Sequence, residues 1–152
     1  MIEIRRAERS DVASIVALLA DDMLGQDREL VSEPLADDYF TAFEAIGNDL
    51  NQFLAVMVDT GEVAGTLQLS FIPGLSRRGA QRAVIEAVRI AKNRRGERLG
   101  EQLFEWAIAQ CRRRGCALIQ LTSDRERAEA HRFYERLGFE PTHVGYKLKL
   151  GE

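Results

Sequence analysis

The sequence has few of the residues that build disulfide-rich, zinc-binding or membrane proteins. It holds two cysteines, two histidines and three prolines in 152 residues. Cys111 and Cys116 make no disulfide framework, and His131 and His143 are too few and too far apart to indicate a metal site. No apolar run approaches the ~20 residues of a membrane span, and the N-terminus has no apolar signal core. We therefore expect a cytoplasmic protein without a metal and without membrane contact.

What is present is an ordinary globular composition. Hydrophobic residues make up 45% of the chain and charged residues 30%. That mix excludes disorder, collagen and coiled coil as the main structure. At about 150 residues per domain, the length predicts a single domain over residues 1–152, which is long enough to bury a core.

The net charge of −3 hides an asymmetry between the two halves of the chain. Residues 1–76 carry 4 basic and 14 acidic side chains, whereas residues 77–152 carry 17 basic and 10 acidic ones. Within the acidic half, residues 21–49 hold nine acidic side chains and one arginine. One half can hold an anion while the other attracts a cation, and an uneven solvated surface is the equal alternative.

Hydrophobic periodicity predicts a mixed α/β fold with the element order βααβββαβαβ. Alternation predicts strands at 2–6, 53–58, 63–72, 82–90, 117–122 and 142–150, and helical spacing predicts helices near 10–24, 34–47, 97–114 and 126–137. Ser10 is a plausible N-cap for the first helix. Strands that alternate with helices in the second half indicate some parallel pairing.

The most informative stretch, residues 88–100, is a predicted strand followed by a basic, glycine-containing turn and a helix. Free N–H groups and the dipole at a helix start favour an anion. Arg94, Arg95 and Arg98 add forked donors that suit phosphate. Neither the Gly-Lys-Ser/Thr of a Walker loop nor Gly-x-Gly-x-x-Gly occurs. On these features alone, a phosphate site and a solvated basic turn remain equal alternatives.

Two segments carry a family resemblance. Arg95-Gly96-Glu97-Arg98-Leu99-Gly100 resembles the acyl-CoA-binding motif of the GNAT superfamily of N-acetyltransferases, Arg/Gln-x-x-Gly-x-Gly/Ala. Residues 130–139, Ala-His-Arg-Phe-Tyr-Glu-Arg-Leu-Gly-Phe, resemble the Ala-x-x-Phe-Tyr-x-x-x-Gly-Phe segment of that family. Their order and separation match, and the likeness covers essentially the whole chain. Within the superfamily, residues 71–75 and 82–90 resemble small single-domain bacterial members. The chain departs from the pattern at Arg98, usually glycine, and at Arg127, commonly asparagine.

The resemblance implies a fold, a reaction and a binding site. The fold is a central mixed, mostly antiparallel sheet flanked by helices. The reaction is transfer of an acetyl group from acetyl-CoA to a primary amine of a small molecule or peptide, by direct attack in a ternary complex. The residues implied in binding acetyl-CoA are Val88, Arg89, Ile90, Arg94, Arg95, Gly96, Glu97, Arg98, Leu99, Gly100, Arg127 and Tyr134, with backbone groups of Val88 and Ile90 holding the pantetheine arm and the acetyl oxygen.

Two side chains are candidates for the proton transfers. An alkylammonium has a pKa near ~10 and attacks only after deprotonation, so a base is required. Glu86 is the candidate base, and an outward-facing glutamate paired with Arg82 is the equal alternative. Tyr134 matches the family tyrosine that acts as general acid near the CoA sulfur, and an aromatic residue packed in the core is its alternative.

Partners follow from the same features. The resemblance implies that the first two helices wall the acceptor pocket, and their acidic residues favour a cationic amine. A catalytically silent acyl-CoA-binding sensor is the alternative function. Nucleic-acid binding is a further candidate function, suggested by Arg112, Arg113 and Arg114. The overall acidity and the lack of interleaved aromatics argue against it. Folds of this type often self-associate, so a homodimer stays open.

Overall fold

A computed structural model of the protein describes residues 1–22 and 24–151. The chain divides into two compact units, Met1–Gln120 and Leu121–Glu152. The single domain expected from the length stays a prediction.

The first unit is built on one five-stranded sheet whose strands follow the chain order. The first three strand pairs are antiparallel and the last pair is parallel. This confirms the expected mixed, mostly antiparallel sheet. The strands are β1 (Ile2–Arg6), β2 (Gln52–Asp59), β3 (Glu62–Ile72), β4 (Arg82–Ile90) and β5 (Leu118–Gln120).

Helices connect these strands. Two of them, α1 and α2, lie between β1 and β2, and the longest, α4, joins β4 to β5. Between β3 and β4 stands a single turn, α3, in which Arg77 and Arg78 are left-handed. The helices of this unit are α1 (Val12–Ala20), α2 (Asp37–Gly47), α3 (Ser76–Gly79) and α4 (Leu99–Arg113).

The two faces of the sheet pack against different helices because side chains alternate along each strand. On one face, Val56 of β2 packs with Ile15 of α1, and Phe43 of α2 lies against the same cluster. On the other face, the ring of Phe53 meets Trp106 of α4 edge-on, with the centroids 5.3 Å apart. We name these faces the α1–α2 face and the α4 face.

The first helix begins differently from the expectation. Ser10 lies inside a 3-10 turn, Arg9–Asp11, so it is not the N-cap of α1. Glu8 and Asp11 instead form a capping box around this turn, in which the Glu8 N–H donates to the Asp11 carboxylate at 2.7 Å. The carboxylate also accepts from Arg5 of β1 at 2.7 Å, which explains why an acidic side chain that is only 7% exposed is tolerated there.

The second unit contains helix α5 (Ala128–Arg136) and a C-terminal segment. The strand predicted at 142–150 is wrong for this structure, since no strand is assigned there. Val144, Tyr146, Leu148 and Leu150 are 76–92% exposed. Alternation predicts which side of a strand is buried, but a strand forms only where a ladder partner satisfies its backbone. Apart from the single turn α3, which was not predicted, the helices and strands follow the predicted order as far as α5.

No helix in the described part of the chain is long and apolar enough to cross a membrane.

Candidate active site

A bulge interrupts the pairing of β4 with β3. Gln68 pairs with Glu86 and Thr66 pairs with Arg89, so Ala87 and Val88 together stand opposite the single residue between Thr66 and Gln68. Ala87 has a φ of 54°, in the left-handed region. An extra residue bends a strand and redirects its hydrogen-bonding groups. The bend therefore lies directly beside the candidate base.

The edge of β4 beyond the bulge is open. β5 pairs only with Arg82–Val84, and within the described residues no strand continues that ladder along the rest of β4. The Ala91 N–H donates to the Ala64 carbonyl at 2.8 Å. Because antiparallel ladders alternate, the polar backbone groups of Ile90 and Val88 point away from β3. They offer donors and acceptors to an extended ligand, which is the geometry that the resemblance requires of these two residues.

The basic loop leads from this open edge into α4. Gly96 has a φ of 86° and Arg98, at the N-cap of α4, has a φ of 64°. The usual family residue at the position of Arg98 is glycine, and the structure keeps the left-handed conformation that glycine favours. The first backbone hydrogen bond of the helix is donated by Gln102 to the Arg98 carbonyl. The N–H groups of Leu99, Gly100 and Glu101 are therefore available to an anion.

The arginines of the loop divide into two kinds. Arg94 holds the loop together, because its Nη2 donates to Asp59 at 2.8 Å and its Nε donates to Glu97 at 3.0 Å. These contacts raise the pKa of Arg94, that with Glu97 most, and the hydrogen bond from Arg94 is the main cause of the lowered pKa of Asp59. Arg98 is 81% exposed beside Glu101, and Arg95 is also exposed. Arg95 and Arg98 are therefore better placed than Arg94 to bind phosphate.

Glu86 lies on the α1–α2 face, because it pairs with Gln68 and Gln68 pairs in turn with Leu54 of that face. It is exposed. Its alternative partner, Arg82, instead donates to Gln120 of β5 at 2.9 Å. Within residues 1–22 and 24–151 no hydrogen bond or ion pair occupies the Glu86 carboxylate. The pairing with Arg82 is thus absent, and the carboxylate is accessible to a ligand beside the bulge.

The side chain of Arg89 ties α1 to the strand just after the bulge. Its Nε lies 3.1 Å from a carboxylate oxygen of Asp22, and the two side chains are only 12% and 17% exposed. The same carboxylate accepts the N–H of Gly25. The resemblance implies that Arg89 binds the cofactor, and the structure places its guanidinium beside Asp22. No local signal in the sequence pairs these two residues, since they are far apart along the chain.

A surface groove of about 540 Å³ runs between the end of α1 and the basic loop. Its walls include Asp21 and Val31 on one side and Lys92 and Asn93 on the other. Lys92 Nζ and an Asp21 oxygen are 3.7 Å apart. The acidic segment 21–49 thus borders the basic loop at this groove.

The remaining predicted site residues lie in the second unit. Tyr134 is half-buried on α5, and its ring makes edge contacts with Phe133 and Phe139 at centroid distances of 5.6 and 6.2 Å. Arg127 stands at the N-cap of α5, where its carbonyl accepts the N–H of His131. Both residues therefore belong to the helix that carries the second motif.

Comparison with known proteins identifies the family of this chain. Residues 14–139 match the acetyltransferase (GNAT) family. An aminoalkylphosphonate N-acetyltransferase of Salmonella typhimurium is 30% identical over 149 residues, which are 97% of this chain and 91% of the relative. A crystal structure described as a transcriptional regulator from Bacillus halodurans C-125 is 44% identical, with a TM-score of 0.96 over 99% of this chain and 100% of that chain. A Trypanosoma brucei acetyltransferase is 25% identical, with a TM-score of 0.80 over 99% and 100%.

The chain belongs to the GNAT acetyltransferase family. It is an N-acetyltransferase, and members of this family use acetyl-CoA as acetyl donor. Within the described residues, no cluster of three or more metal-ligating side chains occurs.

Proposed function

We propose that the protein acetylates a primary amine of a small molecule or peptide by direct attack on acetyl-CoA in a ternary complex. One observation carries the proposal: the bulge of β4 presents an accessible carboxylate, an open strand edge and a basic helix start within a single stretch of 15 residues, 86–100. A carboxylate beside an extended acyl donor is what amine acetylation needs.

The residues present fit acetyl-CoA. Val88 and Ile90 supply backbone groups for the amide-rich pantetheine arm. The first N–H groups of α4, with Arg95 and Arg98, supply donors for the phosphates. The backbone N–H of Val88, at the bulge, is the candidate donor to the oxygen on which negative charge develops during attack. Arg94 and Glu97 contribute by holding the loop, and Arg127 is assigned from its place in the motif alone.

The proton transfers are divided between two side chains. Glu86 takes a proton from the substrate ammonium, directly or through water, and so frees the lone pair that attacks the acetyl carbonyl carbon. The new N–C bond replaces the C–S bond, and Tyr134, assigned from its place in the second motif alone, gives its phenolic proton to the departing sulfur. The nitrogen loses a second proton as the amide forms, and that proton restores Tyr134. The products are an N-acetyl amide, the CoA thiol and the proton held by Glu86.

The acceptor carries positive charge in this proposal. Segment 21–49 has a net charge of −8, and it borders the groove beside the basic loop. Several of its carboxylates already have internal partners, including Asp22 with Arg89 and Glu44 with Arg9. The attraction of a cationic acceptor therefore rests on the remaining carboxylates of this segment. The curated relative acts on aminoalkylphosphonates, which supports a small aminoalkyl group as the acetylated end.

A thiol-release assay with acetyl-CoA tests the proposal. Its panel holds polyamines, aminoglycosides, amino acids, peptides and aminoalkylphosphonates. We expect Glu86→Gln to lower kcat about 100-fold, since general bases contribute about 10²–10⁴, and to leave acetyl-CoA binding unchanged. The matched control is Glu105→Gln on the exposed side of α4.

We expect Tyr134→Phe to lower kcat at least tenfold in the same assay. The control Tyr146→Phe, at an exposed tyrosine, should leave kcat unchanged.

A sensor is the second candidate function, because the 44% identical structure is described as a transcriptional regulator. Acetyl-CoA binding without acetylation of any amine in the panel would favour it. Unchanged turnover in both Glu86→Gln and Tyr134→Phe would overturn the mechanism. A homodimer and a cytoplasmic location stay predictions, of which sedimentation velocity tests the first.

A further inference from the structure

A row of uncharged polar side chains leads across the sheet to Glu86. Thr66, Gln68 and Ser70 alternate in β3 with Leu67, Leu69 and Phe71, so the polar set faces α1 and α2 while the apolar set faces α4. Gln68 pairs with Glu86, and Ser70 pairs with Gln52 of β2. We name Gln52, Gln68, Ser70 and Glu86 the polar strip.

Hydrogen bonds fix the orientation of the two amides in this strip. Gln68 Nε2 donates to Gln52 Oε1 at 2.8 Å, and Ser70 Oγ donates to the same oxygen at 3.0 Å. Because the nitrogen of the Gln68 amide is held by Gln52, the oxygen Oε1 is left as a hydrogen-bond acceptor. Among the described residues, no N–H or O–H group donates to that oxygen. Gln68 is half-buried and Glu86 is exposed, and the two side chains lie on the same face of neighbouring strands.

The pairing of these two residues indicates a ligand chemistry. Directly opposite side chains in an antiparallel pair have Cβ atoms about 4.5–5.5 Å apart, and the contact with Gln52 draws the Gln68 amide towards β2. An acceptor that places an ammonium on Glu86 and a hydroxyl on Gln68 Oε1 therefore carries both groups in one small molecule. Resting on the proposed function, we propose that Gln68 is a specificity-determining residue that binds a hydroxyl group of the acceptor, which is thus an amino alcohol or amino sugar.

Matched acceptors test this assignment. Thiol release is measured with serinol against isopropylamine and with 2-aminocyclohexanol against cyclohexylamine, at fixed acetyl-CoA. Within each pair the amine is similar and only the hydroxyl groups differ. We expect the wild-type protein to prefer the hydroxylated member at least tenfold in kcat/KM, because a site built to bind a hydroxyl is left with an unpaired polar group by an analogue that lacks it.

Substitutions then assign that preference to the strip. We expect Gln68→Leu to reduce it about tenfold by slowing only the hydroxylated acceptor, with an unchanged KM for acetyl-CoA. Ser70→Ala, which removes one of the two donors to Gln52, acts in the same direction to a smaller extent. Gln110→Leu near the end of α4 makes the same chemical change outside the strip and leaves the preference intact. Circular dichroism and Tm establish that each variant is folded.

The outcomes separate the two proposals. A Gln68→Leu variant that slows both members of a pair equally has a structural defect only, and this result would overturn the specificity role. Wild-type turnover of other amines without preference for hydroxylated ones also overturns it, while leaving amine acetylation in place. If no amine in either panel is acetylated, the proposed function fails and the assignment fails with it. Should Gln68→Leu not fold, Ser70→Ala and the wild-type preference decide.

Discussion

At the residue scale, Arg98 combines an unfavourable backbone with a useful side chain. A residue with a Cβ pays roughly 1–2 kcal/mol in the left-handed conformation, and Arg98 adopts it at the start of α4. Its side chain is 81% exposed, and its backbone adjoins the N–H groups that we assign to phosphate. We infer that the charge of Arg98 compensates in binding for what its backbone costs in stability.

Two variants separate these effects. We expect Arg98→Gly to raise the free energy of unfolding by about 0.5–1 kcal/mol, since it relieves the left-handed strain, whereas Arg98→Ala keeps the strain. Both lose the guanidinium, and both weaken acetyl-CoA binding by a similar factor of roughly two to five. Urea denaturation and calorimetric titration measure the two quantities. A glycine variant no more stable than the alanine variant contradicts the backbone argument.

The Asp11 carboxyl gives a pH dependence of stability. Burial alone would raise its pKa, but the hydrogen bonds from Arg5 and from the Glu8 N–H, with the charge of Arg5, outweigh burial and lower it. A lowered folded-state pKa stabilises the protein above the unfolded value, near 3.8, and this contribution is lost as the pH falls through the folded value.

We therefore expect the wild type to lose stability on acidification below about pH 4 more steeply than Asp11→Asn, which is less stable at neutral pH. Urea midpoints measured between about pH 2.5 and 7 give both curves. Asp124→Asn is the control, because Asp124 is exposed and its substitution should leave the slope unchanged. Parallel curves for Asp11→Asn and the wild type would refute the assignment.

At the element scale, the bulge of β4 is the feature on which the proposed site depends. Ala87 stands in the left-handed region at a φ of 54°, which a β-branched residue tolerates poorly. We expect Ala87→Val to lower the free energy of unfolding by about 1–2 kcal/mol and to reduce kcat, because the edge groups of Val88 and Ile90 move. Ala87→Gly should keep activity and gain stability.

The comparison is made by thiol release and thermal melts on the same samples. Ala83→Gly, at a regular position of the same strand, serves as the control for loss of a methyl group, and it should destabilise the sheet. If Ala87→Val retains full kcat, the bulge does not position the acyl donor, and the open edge loses its proposed role.

Much of the fold follows from the sequence, and the exceptions have physical reasons. Strands β1 to β3 and helix α4 have clear periodicity and β4 alternates more weakly, so their existence and order could be predicted. The left-handed Ala87 could not, because alanine carries no signal for that conformation. The segment 142–150 has strand periodicity without an assigned ladder, which periodicity cannot reveal. The polar strip had a readable signal, the alternation of Thr66, Gln68 and Ser70, but only the register to Glu86 gives it meaning.

At the scale of the whole molecule, the two charged halves have different electrostatic consequences. The basic loop presents exposed guanidiniums at Arg95 and Arg98, which salt screens readily. The ion pair of Arg89 with Asp22 is largely buried and is screened much less. Ligand affinity should therefore respond to ionic strength under conditions in which the tie between α1 and β4 remains intact.

We expect acetyl-CoA affinity to fall roughly five- to tenfold between about 0.1 and 1 M NaCl, over which the Debye length shrinks from about 10 to 3 Å. The double variant Arg95→Ala with Arg98→Ala should bind more weakly at low salt, and its affinity should depend less on salt.

The control is a second double variant, Arg112→Ala with Arg113→Ala. It removes the same charge from two exposed arginines at the far end of α4, away from the loop. Its slope should equal that of the wild type, because the interaction with the phosphates is local. Calorimetric titration over a salt series measures all three slopes. Equal slopes for the two double variants would mean that overall charge, and not the loop, attracts acetyl-CoA.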